Sequence, residues 1–360
     1  MKRNGLIDVM RLVFAGLVMM YHFYAGTRKH FPGGWFGVEF FVILAGFLMF
    51  SAWERKQGSR LPLKERCDYW LDYIKRRYFR FFWYALVSFL AMFLIVRVWH
   101  DQMQGIKMLD KLSRDIWEIL LLIMNGLNRG KTLLNGSAWT LGCILLAEFF
   151  VLGMLVFWER PFLYFIMPLS IIFGSGWWMN LESDSILVFH TFSTFGMIRV
   201  YLLTCCGILS YNICKRLKAS SFSKVGMELL TIAEVSGYML CILISCYRNS
   251  REYQFCFILI TTITLAISFS RKSFAGSMLP ANNFTNFCAE LSLGIYLTHD
   301  IVLKVFKYTY PNVNDLYRQK FVFLYCALAV ALAYTYIMRG VFKMLPIVKE
   351  KLKSVLLEQS

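Results

Sequence analysis

The sequence has few charged residues for its length. Asp, Glu, Lys and Arg make up 17% of the 360 residues, whereas soluble domains carry about 25%. Apolar residues reach 58%, and the mean hydropathy is +0.52. This balance excludes an ordinary soluble globular domain and indicates an integral membrane protein.

Several catalytic signatures are also absent. The chain has no GxSxG, no GxxxxGK[ST] loop and no HExxH, which argues against a serine hydrolase and an ATP-driven pump. Its ten cysteines form no CxxC or Cys/His pattern, so we predict no metal requirement. We expect no cleavable signal peptide, because the first apolar run lacks an A-x-A-like site and contains Asp8, Arg11 and His22.

Acidic residues are fewer than basic ones. With 22 Asp and Glu against 39 Lys and Arg, the net charge is +17, a value that could suggest a nucleic-acid partner. The basic residues, however, cluster in short loops between apolar runs, as in membrane proteins with a positive cytoplasmic side. We therefore predict no nucleic-acid partner and a multi-pass membrane protein with both termini in the cytoplasm.

Ten apolar stretches are long enough to cross a bilayer, which takes about 20 residues. They predict an all-α bundle of about ten transmembrane helices. We assign 1–345 to one transmembrane domain and 346–360 to a short basic cytoplasmic tail. A shorter apolar run at 115–127 predicts an interfacial helix. The ten predicted spans are 6–25, 35–53, 80–98, 138–158, 161–179, 197–214, 227–247, 254–270, 288–307 and 321–341.

The first span carries Arg11 and His22, eleven residues apart. At about 100° per residue the two side chains fall on one helix face, roughly 16 Å apart along the axis. A cation at the centre of a membrane helix costs on the order of 2.5–3.5 kcal/mol. Asp8, one turn before Arg11, can pair with it. A functional role is the sharper interpretation; an interfacial His and a structural ion pair remain the alternative.

Glu39 is placed near the outer end of the second span, at a depth similar to that of His22. A carboxylate beside an imidazole fixes its tautomer and stabilises the imidazolium, which is the arrangement of a general base. We therefore expect Glu39 to contact and orient His22. The pattern makes His22, Glu39 and Arg11 the candidate catalytic residues.

Two further segments carry candidates. A predicted cytoplasmic loop, 54–80, ends in the run IKRRYFR, which places Arg76, Arg77 and Arg80 at the cytoplasmic mouth of the third span. Arg can bind phosphate there in bidentate fashion. Topogenic charge or contact with anionic lipid is the alternative, and the residues alone favour it. His299 lies inside the ninth span, either as a functional group or as a hydrogen-bonding group between helices.

These segments together resemble the membrane acyltransferase-3 family. Arg11 and His22 match its Arg-x10-His signature, and Trp139 lies in a segment similar to its Trp-Ser/Tyr-Leu block. Glu39 stands where the family usually has Asp, and Asp300 where a Pro is common. The matching segments, in order from residue 6 to about 303, are LIDVMRLVFAGLVMMYHF, GGWFGVEFFVILAGFLMF, IKRRYFR, SAWTLGCILLAEFF and ELSLGIYLTHDIVL.

The resemblance implies a ten-helix inner-membrane enzyme that needs His22 and Arg11. Such enzymes move an acyl group, usually acetyl, from acetyl-CoA to a hydroxyl of an extracytoplasmic glycan. We therefore expect acyl-CoA as donor substrate, a carbohydrate of the cell envelope as acceptor, and the lipid bilayer as surroundings. Arg76, Arg77 and Arg80 would bind the CoA phosphates. Asp8, Trp139 and His299 are further candidates for the site.

Other functions stay open at this stage. Intramembrane charges also mark transport paths, so a transporter or flippase of a lipid-linked or acylated envelope precursor is the alternative from another class. Within the enzyme reading, succinyl transfer or N-acylation of an amino sugar would fit the same residues. No span shows a clear GxxxG face, and the oligomeric state stays open.

Overall fold

The computed structural model describes residues 3–24, 30–102, 104–116, 136–180 and 194–358, and within these ranges the regular structure is helical. The helices are α1 (Gly5–Tyr24), α2 (Gly37–Arg55), α3 (Leu63–Phe93), α4 (Gly105–Asp115), α5 (Trp139–Pro161), α6 (Met167–Asn180), α7 (Thr194–Ala219), α8 (Lys224–Tyr247), α9 (Arg251–Ser270), α10 (Ala275–Met278), α11 (Asn283–Thr309), α12 (Val313–Arg318) and α13 (Lys320–Glu358).

Eight helical segments within the described ranges are long and apolar enough to cross a membrane, as expected of a multi-pass membrane protein. All ten predicted spans coincide with helices. Two of them, 138–158 and 161–179, belong to one apolar run, Gly136–Gly176, that bends at Trp158 and continues through a π-helical turn. The predicted span 288–307 lies in α11, which is not among the eight. The number of spans and the side of each terminus stay predictions.

The segment 54–80 is mostly helical, whereas we predicted a cytoplasmic loop. After a short 3-10 turn, α3 begins at Leu63, directly after Pro62, and runs for 31 residues. Proline is tolerated at the start of a helix because the first N–H groups have no intrahelical partner. On this helix Arg76 and Arg80 are one turn apart and share a face, while Arg77 points about 100° away.

The outer connections also differ from the sequence prediction. Helix α4 lies in a segment to which we assigned no element. The predicted interfacial helix at 115–127 begins at the end of α4, and its residues from 117 onward lie outside the described ranges. The proposed boundary between 345 and 346 falls within α13, which continues to Glu358.

Two helix pairs position the candidate residues. Helix α2 packs backbone to backbone on α7, because a Cβ at Gly46 would lie 2.4 Å from the carbonyl oxygen of Thr204, and one at Gly207 would lie 2.3 Å from that of Ile43. Helix α1 packs on α11. The first pair therefore brings Glu39 of α2 to Arg199 of α7, and the second brings His22 of α1 to His299 of α11.

Candidate active site

The C-terminal end of α1 meets the middle of α11 at a pair of imidazoles. The ring centroids of His22 and His299 lie 5.0 Å apart. Ring nitrogens of both residues and a carboxylate oxygen of Asp300 lie within 4.8 Å of one another. His299 is only 1% exposed. Asp300 adjoins His299 in the chain and points about 100° away from it on the helix, so the sequence did not predict it as a partner; the structure makes it the carboxylate beside His22.

One hydrogen bond fixes the protonation pattern of His299. Its Nδ1 lies 3.1 Å from the carbonyl oxygen of Ile295, one turn earlier in α11. A carbonyl can only accept, so Nδ1 donates, and Nε2 of the neutral ring carries the lone pair. Nε2 is buried and has no hydrogen-bond partner within the described part of the chain. A base-competent nitrogen is therefore available at this position.

Glu39 does not take the predicted position against His22. Its Oε1 accepts hydrogen bonds from Arg199 on α7 and from Gln254 on α9, the latter at 2.6 Å. The guanidinium of Arg199 also lies 4.8 Å from the ring centroid of Trp35. The physical reason is the α2–α7 packing, which turns position 39 toward a buried cation. Arg199 lies inside a predicted span, where a cation needs a carboxylate partner. This signal in the sequence could have pointed to the Glu39–Arg199 pair.

Arg11 lies toward the opposite end of α1. Its Nη1 is 3.8 Å from Asp8 Oδ1, which confirms the predicted i,i+3 pair, and Asp8 also accepts from Arg3 at 2.6 Å. Arg11 Nε is buried without a hydrogen-bond partner among the described residues. The guanidinium therefore has donor capacity that the described protein leaves unused.

Arg11 lines two of three adjoining cavities. The deep cavity has a volume of about 170 Å³ and the middle one about 350 Å³, and both contain Arg11 and Arg80. The mouth cavity, of about 970 Å³, shares Arg80, Tyr84 and Glu290 with the middle cavity. Each of these cavities therefore shares lining residues with the next one.

The mouth cavity is rich in positive charge. Arg76 and Arg80 of α3, two of the three residues that we predict to bind phosphate, line it. The remaining basic residues were not predicted and come from α3 and α13: Lys75, Arg339 and Lys343. Two acids partly offset them: Asp72 pairs with Arg76 at 2.5 Å, and Glu290 with Arg339 at 2.6 Å. The basic residues of α13 are far from α3 in the sequence, and no sequence motif predicts that they line the same cavity.

Arg77 does not line the mouth with its two neighbours. Its Nε and Nη2 donate to the two carboxylate oxygens of Glu148 on α5, both at 2.9 Å. Glu148 is fully buried, and Arg77 borders the deep cavity. The basic run thus divides, because Arg77 points away from the face that Arg76 and Arg80 share.

The deep cavity ends at a pair of hydroxyls. Tyr296 and Thr140 are hydrogen-bonded at 2.6 Å and both line this cavity. The Tyr296 ring centroid lies 6.2 Å from that of His299. Trp139 is half-buried and starts α5 one residue before Thr140. Tyr296 therefore both lines the deep cavity and neighbours His299 of the imidazole pair.

The site contains three features with distinct chemistry: a basic cavity mouth, the Arg11 cation with an unused donor among the described residues, and a pair of imidazoles with a carboxylate. A model of the acyltransferase 3 family, described as an acyltransferase domain, matches residues 4–339. No curated protein and no solved structure shows significant similarity to this chain. The match includes the site residues from Asp8 to Arg339 and leaves out only Arg3 and Lys343 among those named above, and the chain belongs to the acyltransferase 3 family of membrane acyltransferases.

Proposed function

We propose that this membrane acyltransferase moves an acyl group, most readily acetyl, from acyl-CoA to a hydroxyl of an extracytoplasmic carbohydrate of the cell envelope. The observation that carries the proposal is a series of three cavities with shared lining residues: the basic mouth, the middle cavity at Arg11, and the deep cavity lined by Tyr296, whose ring neighbours His299 of the His22–His299 pair. With the mouth in the cytoplasm, the protein would lie in the cytoplasmic (inner) membrane, where CoA thioesters are available.

The mouth suits the nucleotide end of the donor. Its volume of about 970 Å³ is at the upper end of the range of ligand pockets, roughly 300–1,000 Å³. Arg76 and Arg80 would bind the CoA phosphates through paired N–H donors. Arg339 and Lys343 on α13 face the same cavity and would add to this attraction. The thin pantetheine arm would then occupy the middle cavity.

The thioester would reach the deep cavity, beside Arg11 and Tyr296. In the transfer, His22 takes the proton from the acceptor hydroxyl while the hydroxyl oxygen attacks the thioester carbonyl. The tetrahedral intermediate collapses, the C–S bond breaks, the ester remains on the carbohydrate and CoA leaves as the thiol after taking up a proton. Arg11 would hold the donor or stabilise the negative charge on the carbonyl oxygen, for which its unpaired Nε supports a role.

Two predicted site residues receive other tasks in this proposal. Arg77, held by Glu148 at two 2.9 Å hydrogen bonds, would fix α3 to α5 rather than bind phosphate. Glu39, held by Arg199 and Gln254, would fix α2 against α7 and α9. The predictions that no metal takes part and that the acceptor is a hydroxyl rather than an amine stay predictions.

The test is transfer of label from acetyl-labelled acetyl-CoA to a panel of envelope carbohydrates. We expect base-labile label on carbohydrate with the wild type and none with His22→Ala at equal protein level. His100→Ala is the matched control, because His100 lies at the end of the π-helical turn after α3, stacked on Tyr308.

Full activity of His22→Ala would overturn the proposed mechanism. Label from longer or charged acyl-CoA alone would keep the enzyme class and change the acyl group. If no acyl-CoA labels any acceptor while the protein is folded, the transporter reading replaces the enzyme reading, and movement of a lipid-linked precursor without added CoA would support it.

A further inference from the structure

The position predicted for a carboxylate partner of His22 is filled by a residue other than Glu39. Glu39 is committed to Arg199 and Gln254. A carboxylate oxygen of Asp300 instead lies within 4.8 Å of ring nitrogens of both His22 and His299. Asp300 follows His299 directly in α11, so the helix that supplies the second imidazole also supplies the carboxylate.

The two imidazoles and the carboxylate are close enough for one group to contact more than one of them. The ring nitrogens and the carboxylate oxygen lie within 4.8 Å of one another, and a hydrogen bond spans about 2.7–3.2 Å. One hydroxyl oxygen placed between them can reach more than one of these atoms. The buried lone pair on His299 Nε2, which has no partner within the described residues, is one of the acceptors that such a hydroxyl could use.

The charges around His22 make a carboxylate necessary. On α11 it faces His299, Asp300 and, two turns farther along, Lys307; on α1 its ring neighbour is the uncharged Tyr21. When His22 takes a proton, Lys307 repels the new imidazolium. Among these described groups, Asp300 alone attracts it. Loss of the carboxylate would leave the imidazolium uncompensated in a largely buried site.

We propose that Asp300 is the positioning residue of the proton transfer: its carboxylate stabilises the protonated His22 and, with His299 Nε2, orients the acceptor hydroxyl between the two imidazoles. This inference rests on the proposed function, since it names the group through which His22 acts. It also gives a physical meaning to Asp300, which stands where the family commonly has Pro.

Gly136 offers a way to disturb Asp300 without removing a titratable group. A Cβ at position 136 would lie 2.9 Å from Asp300 Oδ2, and the backbone there has no left-handed φ. Ala at this position therefore pushes on the carboxylate through space. Gly16→Ala on α1 is the matched control, because a Cβ at position 16 meets no heavy atom within 4 Å among the described residues.

The experiment is steady-state kinetics of Asp300→Asn, Asp300→Glu, Gly136→Ala and Gly16→Ala between pH 5 and 9. We expect Asp300→Asn to lower kcat about 10- to 100-fold, as for other groups that orient an active-site His, with KM for acyl-CoA changed less than about twofold because the donor binds elsewhere. The acidic limb of its pH–rate profile should move to lower pH, since the protonated base has lost its stabilising charge. Asp300→Glu should recover part of kcat, and Gly136→Ala should lower kcat while Gly16→Ala does not.

A wild-type kcat and pH profile in Asp300→Asn would overturn the inference. So would a loss of kcat that Glu does not relieve and that leaves the acidic limb in place, because that pattern marks a structural role. The parallel His22→Ala measurement separates the two levels: an active His22→Ala removes the proposed mechanism, whereas an inactive His22→Ala beside a normal Asp300→Asn removes only the role of Asp300.

Discussion

Two arginines of this protein, Arg11 and Arg77, have similar exposure but different surroundings. Their side chains are 27% and 24% exposed, and both border the deep cavity. Arg77 is held by both oxygens of Glu148 at 2.9 Å. Arg11 has one 3.8 Å contact to Asp8 and a buried Nε without a partner among the described residues. The Arg77–Glu148 ion pair joins two helices, whereas Arg11 keeps a donor that can bind a ligand.

We expect the largest effect, a loss of stability, at the Arg77–Glu148 ion pair. Glu148→Gln leaves the charge of Arg77 without its counter-ion in a buried site, which should cost about 3–5 kcal/mol of unfolding free energy. Thermal or denaturant unfolding in detergent measures it. Glu290→Gln is the control, because the Glu290–Arg339 pair is partly exposed and should change stability by about 0–1 kcal/mol. Equal losses in both variants would contradict the distinction between buried and exposed pairs.

Arg11→Gln should separate the two arginines through activity. We expect kcat/KM to fall about 10²- to 10³-fold, the usual cost of removing a donor to a developing oxyanion, with little loss of unfolding free energy. Kinetics and thermal unfolding of the same preparation provide both values. An Arg11→Gln protein that is as unstable as Glu148→Gln would show that Arg11 is a structural residue like Arg77.

The mouth should respond through KM rather than kcat. Arg76→Gln, Arg80→Gln and Arg339→Gln each remove one positive charge from the wide cavity, and we expect KM for acyl-CoA to rise about tenfold, corresponding to roughly 1.4 kcal/mol. Added salt should narrow the difference because exposed charges are screened. Arg216→Gln, in the exposed last turn of α7, is the control. An unchanged KM in all three variants would remove the phosphate site.

The smallest effect is expected at Asp72. It holds Arg76 at 2.5 Å in a pair whose side chains are 56% and 65% exposed, so Asp72→Asn should leave stability within about 1 kcal/mol. Removing this acid releases Arg76 for the donor, and KM for acyl-CoA should fall by about twofold. A rise in KM would indicate that Asp72 positions Arg76 rather than competing for it.

Local features of the sequence predicted much of this site. Hydropathy located the helices, and helical spacing predicted the Asp8–Arg11 pair, which the structure confirms. The basic run correctly placed Arg76 and Arg80 at a cavity mouth. Spacing along a helix fixes such relations because neighbours at i+3 and i+4 face the same side.

Contacts between helices were harder to predict. Equal depth in the membrane suggested that Glu39 meets His22, but the close α2–α7 packing at Gly46 and Gly207 directs Glu39 to Arg199. The role of Asp300 could not be read from its own helix, because its relation to His22 depends on how α1 and α11 pack. Depth alone leaves several helix neighbours open, and only the packing selects among them.

The most direct test uses sealed inside-out vesicles, with acetyl-labelled acetyl-CoA added outside and the acceptor carbohydrate enclosed. The account predicts that wild-type vesicles accumulate base-labile label on the enclosed carbohydrate and that His22→Ala vesicles do not. Transfer that requires acetyl-CoA and carbohydrate on the same side, or equal transfer by His22→Ala, would contradict a path from the basic mouth to the imidazole pair.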